Sequence, residues 1–136
     1  MSNRVYRNLD EIFAGEYEGM TVEEIQQIAG DEAAMRKVDK IGYRYPRGES
    51  YFDLIARLDP LVHEMESYKE PLLIISHQAV LRVVYSYLMD LSRETAPKRE
   101  IPLHTVMKVT FGGVMSAPIE ERFYLGPEVV AAATPH

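Results

Sequence analysis

Apolar residues recur at three-and-four spacing in one long stretch, Leu54, Ile55, Leu58, Leu61, Val62 and Met65, which predicts a helix with one face against a sheet. Ser50 and Asp53 open it with a capping-box pattern, a hydroxyl at the N-cap and a carboxylate three residues on. Pro60 inside the stretch predicts a kink or a local break. Upstream, Thr21-Val22-Glu23-Glu24 has the same capping pattern and starts a short helix to about Ala29. Gly30 ends it, and Asp31 to Lys40 predicts a second short helix. Behind Pro71 the pattern changes to an unbroken aliphatic run. Leu72-Leu73-Ile74-Ile75-Ser76 reads as a strand buried on both faces, and the apolar stretch continuing to Leu91 as the helix returning over the sheet. After a polar, proline-punctuated connection from Ser92 to Pro102, Thr105 to Phe111 alternates apolar with polar, as a strand does. Gly112-Gly113 punctuates it, and Ile119 to Leu125 predicts a second strand paired with it as a hairpin. Nothing repeats and no linker divides the chain. The pattern predicts one helix-rich α/β domain over residues 1–126 and a disordered alanine-rich tail over 127–136. Three strands are few for a sheet that long helices must cover.

Composition narrows the function classes. The 136 residues include no cysteine, which removes disulfides, thiolate catalysis and cysteine-ligated metal and predicts a reducing, cytoplasmic setting. No apolar run reaches membrane-spanning length, and Met1-Ser2-Asn3-Arg4 lacks the apolar core of a secretory signal. With 15 basic and 21 acidic residues the net charge is −6, and no polybasic stripe stands out. Nucleic acid and anionic lipid are therefore not expected as partners, and an anionic small molecule would need a local basic cluster. No pair of histidines has a metal-ligand spacing, so neither metal nor cofactor is expected.

A few residues can carry chemistry. His77 sits where the predicted strand hands over to a helix, beside helix N-terminal amides that favour an anion. Its imidazole either meets a phosphate or serves as a hydrogen-bonded cap. Arg36 and Lys40, four apart, would project from one helix face, either toward a phosphate or into solvent to pair with Glu32 or Asp39. Arg82 interrupts the apolar stretch Ala79-Val80-Leu81 and Val83-Val84, so it needs a buried partner or a cleft. Glu11, flanked by Leu9 and Ile12, is a candidate general acid among many carboxylates. His104 is either a second site imidazole or a cap on the strand that follows, the latter preferred. His63 and His136 carry no expected role. Gly42 to Gly48 reads as an ordered loop that Arg44 and Arg47 make basic.

Six tracts then match one family in order. These are Leu9-Asp10-Glu11-Ile12 with Ala14-Gly15, Thr21-Val22-Glu23-Glu24-Ile25, Arg36 with Asp39-Lys40, Tyr43-Arg44-Tyr45-Pro46 with Gly48-Glu49-Ser50-Tyr51, Ser76-His77-Gln78-Ala79-Val80-Leu81-Arg82, and Pro102-Leu103-His104-Thr105-Val106. Together they resemble the bisphosphatase domain of 6-phosphofructo-2-kinase/fructose-2,6-bisphosphatase, a branch of the histidine phosphatase (phosphoglycerate mutase-like) superfamily, from about Arg4 to Leu125.

The resemblance implies a three-layer α/β/α fold and a fructose-2,6-bisphosphate 2-phosphatase working through a phosphohistidine. It implies Glu11 as proton donor to the leaving 2-hydroxyl and His77 as the histidine that binds the phosphoryl group in transfer. Arg36, Lys40, Tyr51, Gln78 and Arg82 would hold the sugar's other phosphate and the ring. Two departures matter. Val22 stands where the family has tyrosine, which removes one hydroxyl contact to the distal phosphate. The family's opening strand, ending in Arg-His-Gly with the nucleophilic histidine, does not occur in these 136 residues. The chain therefore corresponds to roughly the C-terminal two-thirds of the domain, its sheet lacking the first strand, and covalent transfer would lack its nucleophile. The alternative to a hydrolase is a noncatalytic phosphosugar-binding remnant, or a homodimer formed through the exposed sheet edge.

Overall fold

The computed structural model describes residues 2–113 and 115–127, so the alanine-rich tail lies outside the described residues apart from its first position. Four helices, α1 (Val22–Ile28), α2 (Gly30–Val38), α3 (Tyr51–Glu66) and α4 (Gln78–Leu88), precede a hairpin of β1 (Thr105–Thr110) and β2 (Ile119–Tyr124). Short 3₁₀ turns lie at Arg7–Leu9, Gly15–Tyr17 and Arg93–Lys98.

Both capping boxes form. Thr21 Oγ1 accepts the Glu24 amide at 3.2 Å while the Glu24 carboxylate accepts the Thr21 amide at 2.8 Å. Ser50 Oγ accepts the Asp53 amide at 3.2 Å, and the Asp53 carboxylate accepts the Ser50 amide at 2.7 Å. Each box satisfies amides that have no partner inside the helix.

Three helix boundaries differ from expectation. Gly30 opens α2 instead of ending α1, because Ala29 (φ −145°, ψ 56°) makes the break itself. α2 then stops at Val38, and the Asp39 carboxylate accepts the Gly42 amide at 3.0 Å, closing the turn that follows. Lys40 therefore lies beyond the helix and does not share a helical face with Arg36. α3 runs without interruption through Pro60, where a kink or break was expected, since both Pro60 and Ala56, whose carbonyl loses its partner, face solvent. α4 ends at Leu88 rather than Leu91. There Asp90 takes a left-handed φ of 52° and the Leu91 amide reaches back to the Ser86 carbonyl at 2.8 Å, a Schellman closure with aspartate in glycine's usual place.

The core is the α3–α4 interface. Tyr51, Leu54, Leu58 and Leu61 pack against Ala79, Val80, Val83 and Val84, with Ile12 completing the cluster. The apolar face of α3 thus meets a helix, not the expected sheet. Residues 72–76 belong to no strand, which corrects the reading of a strand buried on both faces. Ile74 packs on the core, but Leu72, Leu73 and Ile75 are 47%, 58% and 81% exposed. A strand exists only through its ladder, and the ladder among the described residues is the antiparallel hairpin, in register from Thr105 opposite Tyr124 to Thr110 opposite Ile119. The Tyr85 hydroxyl of α4 ties that hairpin to the helices by donating to Glu120 at 2.8 Å.

Two loops clasp beside the core. The Glu16 amide donates to the Pro46 carbonyl at 3.0 Å and the Glu49 amide to the Phe13 carbonyl at 2.8 Å. Gly15 sits there at φ 63°, where an added Cβ would come within 2.0 Å of the Pro46 oxygen, so the crossing requires glycine.

Candidate functional site

The site is built around the first turn of α4. His77 takes the N-cap position with extended backbone (φ −104°, ψ 168°), its ring exposed and making no capping hydrogen bond. The cap reading of this residue therefore falls. A carboxylate from elsewhere takes up one of the helix's free amides. Glu11 Oε2 accepts the Ala79 amide at 3.3 Å, and its Oε1 accepts the Ile12 amide at 2.9 Å.

Glu11 is held there by an arginine that sequence reasoning passed over. Arg57 of α3 donates to the carbonyls of Asn8 (2.5 Å), Asp10 (2.7 Å) and Glu11 (3.2 Å) and forms an ion pair with Glu49 at 2.8 Å. Glu49 in turn accepts the Phe13 amide at 3.0 Å. Arg57 lies between Leu54 and Leu58 on the packing side of α3, and a cation on that side needs a partner, the same argument that singled out Arg82.

Positive charge gathers on the other side of Tyr51. Arg82 is only 4% exposed and donates from Nε to the Arg99 carbonyl at 2.8 Å and from Nη1 to the Tyr51 hydroxyl at 3.1 Å. Tyr51 is fully buried. Burial pushes its hydroxyl pKa up, while the positive charges of Arg82 and Arg36 pull it down. Arg36 is half-buried, with its guanidinium 5.3 Å from the centre of the Tyr45 ring in a cation–π contact. Lys40 is half-buried as well. Its pKa falls from 10.5 to about 8, chiefly through burial and then through repulsion from Arg82, Arg36 and Lys98.

The arrangement favours an anion. Among the described residues neither Arg36 nor Lys40 forms an ion pair, although Arg4, Arg44, Arg47, Arg57, Lys108 and Arg122 each have a carboxylate partner. The loop that Arg44 and Arg47 were expected to make basic is neutralised in this way by Asp53 and Glu16. Gln78 donates to the Ile101 carbonyl at 3.3 Å, and its buried Oε1 has no partner among the described residues, leaving an acceptor for a ligand hydroxyl. A cavity of about 500 Å³ also borders Glu11, but Arg7, Asp10, Glu11, Phe13, Glu18, Glu49 and Arg57 line it. Its four carboxylates against two arginines have the wrong sign for a phosphate, which leaves the cation cluster as the candidate site.

The fold thus brings Glu11, Arg36, Lys40, Tyr51, Gln78 and Arg82 to one end of α4, with the imidazole of His77 exposed at the same helix start. His104 lies just ahead of β1 at φ 53°. Its carbonyl accepts the Leu125 amide at 2.7 Å and extends the hairpin by one rung.

Comparison with known proteins decides the family. The model of the histidine phosphatase superfamily (branch 1) matches residues 2–116. The chain belongs to the histidine phosphatase superfamily. Among curated relatives of this chain, 6-phosphofructo-2-kinase/fructose-2,6-bisphosphatase of Arabidopsis thaliana is 47% identical over 120 residues, which are 88% of this chain and 16% of that protein. The protein of the same name from Gallus gallus is 50% identical over 105 residues, 77% of this chain and 22% of the relative. The chain thus spans less than a quarter of the length of these relatives. Solved structures share the fold. The α-ribazole phosphatase of Shigella flexneri superposes with a TM-score of 0.74 at 18% identity, over 93% of this chain and 64% of that one. A mycobacterial glucosyl-3-phosphoglycerate phosphatase with inorganic phosphate gives 0.66 at 20% identity, over 90% and 63%. The α/β class read from the sequence is the class of these structures, and the resemblance stated from its tracts is the family found. No helix among the described residues is long and apolar enough to cross a membrane.

Proposed function

We propose that this histidine phosphatase chain binds a sugar bisphosphate, fructose 2,6-bisphosphate by analogy with the relatives' names, at the start of α4. The observation that carries the reading is the grouping of Arg36, Lys40 and Arg82 beside Tyr51, where burial first and the neighbouring cations second bring the Lys40 pKa down to about 8 in an acidic protein. Clustered cations that repel one another in the free protein gain most from a dianion placed among them. In this reading Arg36, Lys40, Arg82 and Tyr51 hold the sugar's distal phosphate and ring, and the free Oε1 of Gln78 accepts a sugar hydroxyl. The imidazole of His77 and the amides at the helix start face the phosphoryl group in transfer.

Hydrolysis would proceed by attack of an imidazole nitrogen on phosphorus, with the bond to the 2-oxygen breaking and Glu11 giving that oxygen a proton. Water then attacks the phosphohistidine and releases phosphate. No Arg-His-Gly tract occurs in the 136 residues, so the attacking imidazole of this scheme must come from outside them, and the chain as given supplies the acid and the clamp. A cytoplasmic setting fits the cysteine-free composition and the soluble phosphosugar.

Titration calorimetry with fructose 2,6-bisphosphate tests the reading. Saturable one-site binding is expected, weakened about tenfold or more in Arg36→Ala and in Lys40→Ala, with no release of inorganic phosphate. Absence of binding overturns the site. Turnover that survives His77→Ala overturns the assigned roles.

A second reading, pairing of two copies through residues 72–76, is favoured by the exposure of Leu72, Leu73 and Ile75 next to backbone that joins no ladder.

A further inference from the structure

Arg44, Arg57 and Arg122 each rest on a carboxylate within 2.8 Å, whereas among the described residues Arg36 rests on an aromatic ring. Its guanidinium lies over the face of Tyr45, 5.3 Å from the centroid. Glu32, one turn earlier on α2 and by spacing the natural ion-pair partner, makes no ion pair with it among the described residues; its carboxylate acts instead on the Tyr17 hydroxyl, whose pKa it raises. The Tyr45 ring is itself fixed. It is buried, and the rings of Tyr17 and Tyr43 stand perpendicular to it, at 5.1 and 5.9 Å between centroids. The Gly48 amide closes its loop by donating to the Tyr45 carbonyl at 2.8 Å, and the bond from Glu16 to Pro46 brings the Tyr17 turn alongside.

We propose that Tyr45 is a positioning residue of the anion site, its ring carrying Arg36 where a carboxylate would otherwise pair with it. The inference rests on the phosphosugar reading and deepens it. A guanidinium has five N–H donors in one plane, and a carboxylate partner occupies two of them and cancels the charge. A ring face attracts the cation without taking a donor or neutralising it. Arg36 thus keeps its charge and its donors for a phosphate while its side chain is already partly ordered, which lowers the entropy lost on binding. That charge is the one that reaches Tyr51 and Lys40.

Calorimetry of the whole chain with fructose 2,6-bisphosphate is the test. Tyr45→Phe keeps the ring and is expected to bind within about twofold of the wild type, and Tyr45→Leu to bind about fivefold more weakly. In an Arg36→Ala background Tyr45→Leu should change the affinity less than about twofold, because the ring then has no cation to hold. Loss of a buried ring can also unfold the chain, so Tyr45→Phe carrying one, two and three ring fluorines forms a second set. Fluorine drains the negative ring face with little change of shape, and affinity should fall stepwise along the series. A ring that only fills space would leave the series flat. A flat series beside an Arg36→Ala chain that binds more weakly overturns the role of Tyr45 and spares the site. Equal loss from Tyr45→Leu in both backgrounds overturns it as well. A wild-type chain that does not bind the bisphosphate overturns both readings.

Discussion

At the scale of single residues, the half-buried ammonium of Lys40 loses its proton near pH 8 instead of 10.5, and this couples the site to pH in two ways. Only the protonated form attracts an anion, so affinity for a sugar bisphosphate should be full below pH 8 and fall as pH rises through it. Binding measured by calorimetry between pH 7 and 9 should show that decline in the wild type and a flat profile in Lys40→Met. Folding runs the other way. Between pH 8 and 10.5 the unfolded chain holds the proton that the native state has released, so the stability contribution of Lys40 rises with pH across that window. Arg57 acts through geometry instead. With three carbonyls and Glu49 on one guanidinium, Arg57→Ala should cost about 2 kcal/mol in urea unfolding, and Arg57→Lys should recover part of it. Gly15→Ala should also destabilise by about 2 kcal/mol or more, since its backbone is left-handed and a carbonyl occupies the space of the new methyl.

At the scale of elements, what could be read from the sequence was what neighbours along the chain determine. Thr21 with Glu24 and Ser50 with Asp53 carry their helix starts within four residues, and both boxes form as the pattern indicated. Ser50→Ala should lower stability by about 1 kcal/mol, read as a shift in urea midpoint with unchanged slope. Thr21→Ala should cost less, because α1 buries only Ile25. The hairpin was legible from its alternation and its glycine pair. What could not be read were features that depend on distant partners. An aliphatic run such as Leu72 to Ile75 looks the same whether or not something pairs with it, and Arg57 looks like any helical arginine until Asn8, Asp10 and Glu49 come to it. Of the site, Glu11, Arg36, Lys40, Tyr51, Gln78 and Arg82 came from the family tracts. Residue chemistry alone left Glu11 and the Arg36–Lys40 pair ambiguous.

At the scale of the whole molecule, one flank carries apolar side chains in water beside backbone that joins no ladder. Leu72, Leu73 and Ile75 form that flank, and such an edge invites a second chain. Light scattering should show mass rising with concentration in the micromolar range for the wild type, and a fixed monomer mass for Leu73→Lys/Ile75→Lys. A wild-type monomer throughout that range would remove the dimer reading. The helices tell a different story from that flank. Glu11 is mounted on α3 through Arg57, and Arg82 is tied to Tyr51 and to the chain following the last 3₁₀ turn, while the flank joins the Glu11 segment through Ser76 Oγ, which donates to the Leu9 carbonyl at 2.6 Å. The candidate site residues Glu11 and Arg82 are therefore held by side-chain hydrogen bonds rather than by a strand ladder. A strand added, swapped or blunted along residues 72–75 should leave the candidate site in place for as long as the bond from Ser76 to Leu9 is kept.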